Sequence, residues 1–322
     1  MTNIPQGQEA VKFLNLWTAA RGNPEQRERI CQEYDITHQR ARYWAQELRA
    51  QLRESPSNNE PFQNKYLSGD GKLLRLELGD ERKTVFVIND LQAPFYDPIT
   101  FSLIIKVIID IQPDVIILNG DIIDFYTISK FNPDPKRRLQ LQDDIDCTVD
   151  LLHQVKQAAP LSKRIMTAGN HEDRLRAYLW TKASELSSLR DLDIRKQLRL
   201  DILGYDFAPY DNITKINDIF KVEHGDCVSK HSGWTAKAMY EKRGGNGMCA
   251  HSHRKGDHLK TMDGDTNGWW ENGCVCDMNP EYIKEPNWQQ CFAVITFIGQ
   301  WFSVQQVPII KHKFIYDGKL YE

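Results

Sequence analysis

The sequence predicts an α/β domain preceded by a small all-α domain. Apolar runs typical of buried strands, such as residues 115–118, alternate with helical patterns such as residues 98–111. Polar side chains follow several of these runs directly, which is where open α/β sheets place their ligands. With 322 residues and 41% hydrophobic residues, the chain can bury the core of one large domain and one small domain.

Composition and charge exclude several protein classes. The formal net charge of −3 gives no overall polycation, so any contact with nucleic acid must be local. No apolar run approaches the roughly 20 residues of a membrane span, and the first residues show no signal peptide. The seven cysteines are scattered, and the one close pair, Cys274 and Cys276, is predicted to be two free thiols. These features predict a cytoplasmic protein.

Residues 1–53 are predicted to form a helical domain. Apolar residues recur at helical spacing over 10–17, and Pro24 is expected to start a second helix. Thr37 is expected to cap a third helix that runs from residue 38 to about residue 53. Two short helices around a four-residue turn resemble a helix-turn-helix.

The third helix has the charge pattern of a DNA-recognition helix. Residues 37–53 carry four arginines and one glutamate, with Arg40 and Arg42 near the helix start. An equally good interpretation is a small helical bundle with solvated arginines, packed around Ile36, Trp44 and Leu48. The sequence leaves both interpretations open.

Residues 54–82 are predicted to be a linker followed by an edge strand. Residues 54–64 are polar and contain two prolines, whereas residues 73–78 alternate like an edge strand. The main domain is then predicted over residues 83–322. Its clearest elements are helices at 98–111, 140–158 and 172–186, and a hairpin of strands 292–298 and 301–307 turning at Gly299.

Side chains able to bind metal ions follow five predicted strands. These are Asp90 and Gln92, Asp121 and Asp124, Asn170 and His171, His224, and finally His251 and His253. A single such residue is usually a turn, a cap or a structural histidine, but an ordered set argues against coincidence. Mixed oxygen and imidazole ligands suit Mn, Fe, Zn or Ni better than Ca. Two such ions about 3.5–4 Å apart would clamp a phosphoryl group.

The order of these motifs resembles the calcineurin-like metallophosphoesterase superfamily. Its pattern of D-x-H, G-D-x-x-D, G-N-H-E, H and G-H-x-H matches residues 90–92, 120–124, 169–172, 224 and 250–253. Gln92 replaces a histidine of the pattern and Ala250 replaces a glycine. Because an amide oxygen is a weaker and harder ligand than imidazole, we interpret Gln92 as tuning the metal preference. A D-x-Q motif is also similar to manganese-dependent ADP-ribose/CDP-alcohol diphosphatases.

The resemblance implies a β-sandwich flanked by helices and a site for two divalent ions, with Mn²⁺ favoured. It implies one ion held by Asp90, Gln92, Asp121 and His253, and another held by Asp121, Asn170, His224 and His251. Asp121 would bridge the ions, and a water molecule that they share would attack phosphorus.

The resemblance also implies roles for residues beside the ions. His171 would protonate the leaving oxygen and Asp124 would orient His171. Asp226 is expected to support a ligand histidine. Glu172 is expected to have a structural role in the first turn of its helix.

The substrate is predicted to be a phosphodiester in nucleic acid or a nucleotide, as in a DNA nuclease or repair enzyme. Arg137, Arg138 and Arg254 flank two of the motifs and are candidate substrate contacts. DNA could also bind through the N-terminal helices. Residues 273–292 resemble phage and prophage phosphoesterases, which implies the cytoplasm of a bacterial or phage-infected host cell.

Two alternatives remain open at the level of sequence. A nucleotide diphosphatase or a cyclic-nucleotide phosphodiesterase would suit the Gln92 variant. A DNA-binding regulator with an inactive phosphoesterase domain is disfavoured, because a dead site has no reason to keep both His171 and Asp124.

Overall fold

A computed structural model describes residues 24–53, 73–130, 140–280 and 285–322, together with residues 5, 9, 10, 12, 13, 16, 17 and 20. The chain divides into two compact units, which are Met1–Lys65 with Ala159–Ser162 and Tyr66–Ala158 with Lys163–Glu322. The linker predicted over 54–64 lies outside the described residues. The predicted domain boundaries therefore stay a prediction. Among the described residues, no helix has the length and apolar character needed to span a bilayer.

The N-terminal unit contains α1 (Pro24–Glu33) and α2 (His38–Arg53), joined by a four-residue turn as predicted. The Thr37 side chain accepts a hydrogen bond from the Arg40 amide at 3.3 Å, so Thr37 caps α2. Residues 9, 10, 12, 13, 16 and 17 are also helical.

The N-terminal unit has a hydrophobic core of its own. The ring of Phe13 meets the ring of Trp44 edge-on at 5.5 Å, and Leu48 is buried in the same cluster. Ile36 packs against this cluster while partly buried. The local core expected around Ile36, Trp44 and Leu48 is therefore present.

The larger unit is built from two sheets with helices on its surface. Its helices are α3 (Pro98–Ile111), α4 (Leu141–Ala158), α5 (Asp173–Lys182), α6 (Ile194–Gln197), α7 (Leu200–Leu203) and α8 (Trp234–Arg243). Short 3₁₀ turns cover Tyr126–Ile128, Ser184–Ser188 and Arg190–Leu192. Its first strands are β1 (Leu73–Leu76), β2 (Lys83–Ile88), β3 (Val115–Asn119), β4 (Lys163–Thr167), β5 (Tyr205–Ala208), β6 (Ile213–Ile216) and β7 (Phe220–Val222). The remaining strands are β8 (Asn246–Cys249), β9 (Lys255–Met262), β10 (Asp265–Asn272), β11 (Gln290–Ile298), β12 (Trp301–Ile309), β13 (Phe314–Tyr316) and β14 (Lys319–Tyr321).

Twelve of these strands form two six-stranded sheets. Sheet 1 has the order β1-β6-β7-β8-β10-β9 and sheet 2 has the order β12-β11-β2-β3-β4-β5. Apolar side chains from both sheets share one core, in which Val87 and Ile117 of sheet 2 join Phe220 and Met248 of sheet 1. The sheets therefore pack face to face, as the predicted sandwich requires. The pair β13–β14 forms a separate small sheet.

Most predicted elements are confirmed, and two regions differ. The predicted edge strand, the helices over 98–111 and 140–158 and the final hairpin are present. The helix predicted over 172–186 ends at Lys182 and continues as a 3₁₀ turn. The β9–β10 hairpin was not predicted, because β9 is largely exposed and polar and shows no clear alternation. Trp269 of β10 is fully buried.

The start of α3 is fixed by Asp97, which joins it to the strands beneath. One carboxylate oxygen accepts the amides of Ile99 and Thr100 at 3.0 Å. The other lies 2.9 Å from the Gln290 amide nitrogen and 2.8 Å from His312 Nε2. Burial alone would raise the pKa of Asp97, but these hydrogen bonds outweigh it and lower the pKa.

We expect Asp97→Ala to lower the free energy of unfolding by about 1–2 kcal/mol near neutral pH, as for other lost helix caps. Because the folded pKa is lowered, this stabilisation is complete above the usual value of 3.8 and is lost as pH falls through the folded pKa. Urea unfolding of wild type and variant across this range measures the difference. Replacing the exposed Asp150 by Ala is the control. A deficit of equal size in strong acid would contradict this account.

Candidate metal centre

The predicted site residues lie at the carboxyl ends of strands from both sheets. Asp90, Asp121 and Asn170 follow β2, β3 and β4, which are parallel neighbours in sheet 2. His224 and His251 follow β7 and β8, which are parallel neighbours in sheet 1. One sheet therefore supplies oxygen ligands and the other supplies imidazole ligands.

Asp121 is the centre of the first group of ligands. Its Oδ2 atom lies 3.2 Å from His224 Nε2, and the ligand atoms of Asp121, His224 and His251 all lie within 4.8 Å of one another. Its Oδ1 atom accepts a hydrogen bond from the His171 amide at 3.0 Å. Oδ2 is therefore the oxygen best placed to face an ion.

Asp90, Gln92 and His253 form the second group. Asp90 Oδ1 lies 3.0 Å from His253 Nε2, and the Gln92 side-chain nitrogen lies 3.2 Å from the same Nε2 atom. Rotating the Gln92 amide by about 180° exchanges its nitrogen and oxygen with little change in shape. Gln92 is buried, so its amide is held at this point beside the imidazole.

Backbone and side-chain hydrogen bonds join the two groups into one pocket. The amide of Asp90 donates to the Gly120 carbonyl at 3.0 Å, and the amide of Gln92 donates to the Asp121 carbonyl at 2.9 Å. The amide of His251 donates to Asp90 Oδ2 at 3.1 Å. The loops after β2, β3 and β8 therefore support one another.

The ligand loops have an unusual backbone conformation. Five of the seven predicted ligands have positive φ: Asp90 at 50°, Gln92 at 53°, Asp121 at 52°, His251 at 69° and His253 at 57°. Left-handed backbone costs a non-glycine residue roughly 1–2 kcal/mol. Such strain persists where surrounding structure enforces it, and it concentrates at functional sites. The loops are therefore shaped to aim these side chains rather than to minimise local strain.

The geometry fits divalent ions with mixed oxygen and nitrogen ligands. Ligands about 2.1 Å from one ion stand about 3 Å apart, which is close to the Asp121–His224 and Asp90–His253 separations of 3.2 and 3.0 Å. Asn170 Oδ1 and His224 Nε2 are buried, and neither makes a hydrogen bond of good geometry among the described residues, although His224 Nε2 forms an ion-pair contact with Asp121 Oδ2 at 3.2 Å. A bound ion would satisfy both atoms.

The charges in the pocket favour a cation. Burial alone would raise the pKa of Asp121, but His171 and His224 outweigh it and lower the pKa. Burial alone would lower the pKa of His224, but Asp121 and Asp90 raise it to about 10. Burial and the nearby His224 lower the pKa of His251, which favours a neutral imidazole with a free lone pair. The pocket thus stabilises positive charge, whether protons or metal ions carry it.

His171 lies beside Asp121 and contacts Asp124, as the motif predicts. Its Nδ1 atom is 3.3 Å from Asp124 Oδ2. Arg174 donates to Asp124 Oδ1 at 3.1 Å, and its Nη2 atom lies 2.9 Å from His171 Nε2. Because arginine can only donate, Nε2 accepts and the imidazole proton faces Asp124. Arg174 was not predicted, although its position three residues after His171 on a helix was an available signal.

Glu172 has a different position from the one predicted. It precedes α5 instead of lying in the first turn, and it is only 2% exposed. Its carboxylate accepts the amides of Gly169 at 2.6 Å, Asp121 at 2.9 Å and Ile122 at 2.7 Å. Glu172 therefore ties the loop after β3 to the loop after β4, and its role is structural as expected.

Two buried asparagines, Asn89 and Asn119, contact the ligands, and neither was predicted to have a role in the site. The Asn119 carbonyl lies 2.9 Å from His224 Nδ1, which leaves Nε2 for an ion. The Asn89 side chain donates to Asp90 Oδ2 at 2.7 Å. For Asn89 the available signal was a polar residue directly after an apolar strand, whereas the Asn119 contact uses the main-chain carbonyl and depends on no particular side chain.

The structure corrects the role predicted for Asp226. Its carboxylate accepts from Lys242 Nζ at 2.6 and 2.8 Å, and its side chain is 54% exposed. No hydrogen bond from Asp226 to a histidine occurs among the described residues. A nearby surface lysine competes successfully for this carboxylate, and Asn119 supports His224 instead.

The structure describes three of the five candidate substrate contacts. Arg254 donates to the Ser229 carbonyl at 2.7 Å, so part of its guanidinium serves the fold. Arg40 and Arg42 are exposed on α2 of the N-terminal unit. Arg137 and Arg138 lie outside the described residues.

Comparisons with known proteins agree with this geometry. The sequence model of a family described as calcineurin-like phosphoesterase matches residues 83–290. The chain is 28% identical over 257 residues to the Gene 54 protein of Mycobacterium phage L5, covering 74% of this chain and 99% of the relative. It is 25% identical over 253 residues to the Gene 54 protein of Mycobacterium phage D29, with the same coverage. These relatives are phage proteins, as the resemblance of residues 273–292 implied.

Solved structures with a partial likeness are Vps29 proteins. A single mutant of Vps29 from Entamoeba histolytica is 12% identical with a TM-score of 0.37, covering 74% of this chain and 95% of that chain. Vps29 from Chaetomium thermophilum is 12% identical with a TM-score of 0.40, covering 71% of this chain and 87% of that chain.

We expect Gly169→Ala to impair metal binding, because a Cβ at this position would lie 2.1 Å from Asp121 Oδ1. The carboxylate would have to move, and misplacing a shared ligand should lower the affinity for divalent ions at least about 10-fold. Titration of the metal-free protein with Mn²⁺ measures this. Gly318→Ala is the control, since its Cβ meets nothing within 4 Å; its φ of +71° adds a backbone strain that Gly169, whose φ is not positive, does not have. Wild-type affinity in Gly169→Ala would contradict the expectation.

Proposed function

The chain belongs to the calcineurin-like phosphoesterase family, and we propose that it hydrolyses phosphodiester bonds in nucleic acid or nucleotides with two divalent metal ions. The convergence of Asp90, Asp121, His224 and His253 at the ends of strands from two sheets carries this proposal. These residues are far apart in sequence. Their ligand atoms line a buried pocket that stabilises positive charge, and several of them are held by left-handed backbone.

The ligand set divides between the ions as follows. Asp90, Gln92, Asp121 and His253 would hold one ion, and Asp121, Asn170, His224 and His251 would hold the other. Two ions bound there would lower the pKa of a shared water molecule and withdraw charge from the phosphoryl group. The amide oxygens of Gln92 and Asn170 make the set harder than an all-imidazole set, which supports Mn²⁺ over Zn²⁺.

His171 supplies the proton for the leaving oxygen. Its Nδ1 atom faces Asp124, so the imidazolium that must form is stabilised and correctly oriented. Its Nε2 atom faces the metal pocket, 3.6 Å from Asp121 Oδ2. Nε2 accepts from Arg174 in the free protein, so it can deliver a proton only after Arg174 has moved away and the ring has become an imidazolium.

Arg174 responds to the substrate. Its Nη2 atom binds His171 Nε2 at 2.9 Å in the free protein. An anionic phosphodiester offers the guanidinium a better acceptor than a neutral imidazole does. Binding of substrate would release Nε2 and place a positive charge against a non-bridging oxygen, which stabilises the transition state.

The proposed substrate class rests on surface charge, on the phage relatives and on the first motif. The exposed Arg40 and Arg42 on α2 suit a phosphate backbone, and the phage relatives fit an enzyme of nucleic-acid metabolism in the cytoplasm of an infected bacterium. Gln92 in the first motif supports a nucleotide diphosphatase to the same degree. Assays with single-stranded DNA, duplex DNA, cyclic nucleotides and ADP-ribose under the same metal conditions discriminate between these substrates.

We expect His171→Asn to lower kcat for bis-p-nitrophenyl phosphate about 10²–10⁴-fold with Mn²⁺, while both ions remain bound. The loss reflects the missing acid, because His171 is outside the proposed ligand set. The Asp226→Asn variant, altered at an exposed ion pair, should keep wild-type activity. If wild type and His171→Asn are equally inert with Mn²⁺, Fe²⁺, Zn²⁺ and Ni²⁺, the proposed activity is wrong.

We expect replacement of Arg40 and Arg42 by Ala in the full chain to weaken DNA binding and flatten its dependence on salt. Each lost phosphate contact removes about one released counterion from the salt slope. Fluorescence anisotropy with labelled duplex DNA at several salt concentrations measures this. Replacement of the exposed Arg75 by Ala, on β1, is the control. An unchanged slope in the double variant would show that α2 does not bind DNA.

A further inference from the structure

Two buried cysteines outside the ligand set, Cys274 and Cys276, lie beside the predicted ligand His253. The ligand atoms of His253, Cys274 and Cys276 all lie within 4.8 Å of one another. All three residues are buried, and both thiols are free. The sequence predicts the free thiols but gives them no role.

The two ends of the His253 ring face different partners. Nε2 faces Asp90 Oδ1 at 3.0 Å, in the metal pocket. Nδ1 faces Cys276 Sγ at 3.7 Å, on the other side of the ring. A histidine that binds a metal through Nε2 carries its proton on Nδ1, and a partner for that proton fixes the ring and its tautomer.

The second thiol lies behind the first. The Sγ atoms of Cys274 and Cys276 lie within 4.8 Å of each other, and Cys274 Sγ donates to the Gln289 carbonyl at 3.7 Å. Because the Cys274 proton points to that carbonyl, the Cys274 sulfur can accept the proton of Cys276. The Cys276 sulfur is then able to accept a hydrogen bond from His253 Nδ1.

The backbone anchors the two thiols beside His253. The Gln289 amide donates to the His253 carbonyl at 2.9 Å, and the Cys274 amide donates to the Gln289 carbonyl at 3.0 Å. The Trp288 ring packs edge-on against the imidazole with centroids 4.3 Å apart. The imidazole is thus restrained by packing, while the thiol determines which nitrogen carries the proton.

We infer that Cys276, with Cys274 behind it, is a positioning residue. It accepts a hydrogen bond from the protonated Nδ1 of His253, which leaves the lone pair of Nε2 for one of the two metal ions. This inference rests on the proposed function, which makes His253 a ligand. The other histidine with a similar task, His224, uses the Asn119 carbonyl at 2.9 Å. The thiol at 3.7 Å is a weaker and longer acceptor than that carbonyl, so the ion beside His253 would be the more weakly held of the two.

The same three groups could in principle bind a soft metal ion themselves. That arrangement would require Nδ1 to lose its proton while Nε2 still faces Asp90 and the pocket. A single imidazole would then serve two ions, which an ordinary neutral histidine cannot do. The positioning role uses every observed contact without that requirement.

The test compares Mn²⁺ binding by four proteins without substrate: wild type, Cys276→Ala, Cys276→Ser and Cys291→Ala. We expect Cys276→Ala to keep the tighter ion and bind the second about 10–100-fold more weakly. Cys276→Ser retains a group that accepts and donates, so it should bind both ions nearly as wild type does. Cys291 is equally buried but does not face His253, which makes Cys291→Ala the matched control for a lost core thiol.

Metal content after gel filtration, two-step titration by calorimetry and thermal unfolding with chelator separate binding from folding. Equal unfolding temperatures for the metal-free Cys276 and Cys291 variants, with weakened binding only in Cys276→Ala, support the inference. Two tight ions in Cys276→Ala, or equal weakening in Cys276→Ser, would overturn it. Sulfur-to-cobalt charge-transfer absorption in Co²⁺-loaded wild type that Cys276→Ser loses would also overturn it, because the thiol would then be a ligand.

The two proposals fail in different ways. A wild-type chain that binds two ions but cleaves no phosphodiester refutes the proposed function and leaves the positioning role intact. A chain that cleaves phosphodiesters and binds both ions equally well without the thiol refutes the positioning role alone. A wild-type chain that binds no divalent ion refutes both.

Discussion

The burial of Asp90 and Asp121 side by side is the constraint on which the site depends. Burying either carboxylate away from water costs several kcal/mol of folding free energy unless a positive charge is buried beside it. The surrounding histidines and the hydrogen bonds from Asn89 and the His171 amide offset part of that cost. Two cations would offset the remainder, and this requirement explains why so many lone pairs converge in a buried pocket.

The sandwich and the ligand loops serve that constraint together. Parallel neighbours β2, β3 and β4 bring three loops to one sheet edge, and β7 and β8 do the same in the other sheet. Gly120 allows the loop after β3 to pass close to the His224 ring, because a Cβ at this position would lie 2.4 Å from His224 Nδ1. Glu172 then ties two of the loops together through backbone amides.

Much of this arrangement is predictable from sequence because its determinants are local. Apolar runs such as residues 115–118 identify buried strands, and the polar residues after them identify the ligands. The contacts that involve long-range competition are different. Asp226 pairs with Lys242, which lies 16 residues further along the chain. The Cys276–His253 contact depends on two loops, and no local sequence pattern specifies how far apart they lie. Asp90 and His251 also adopt left-handed backbone, which aspartate and histidine tolerate better than most residues but which no local pattern specifies.

The central claim is that one pocket binds two ions through these converging side chains. Crystals of the Mn²⁺-loaded protein, with anomalous data collected on both sides of the manganese absorption edge, test it most directly. The account predicts two anomalous peaks about 3.5–4 Å apart. Asp121 should lie between them, and Gln92 and His253 should contact only one of them. A single peak, or peaks remote from Asp90 and Asp121, would contradict it.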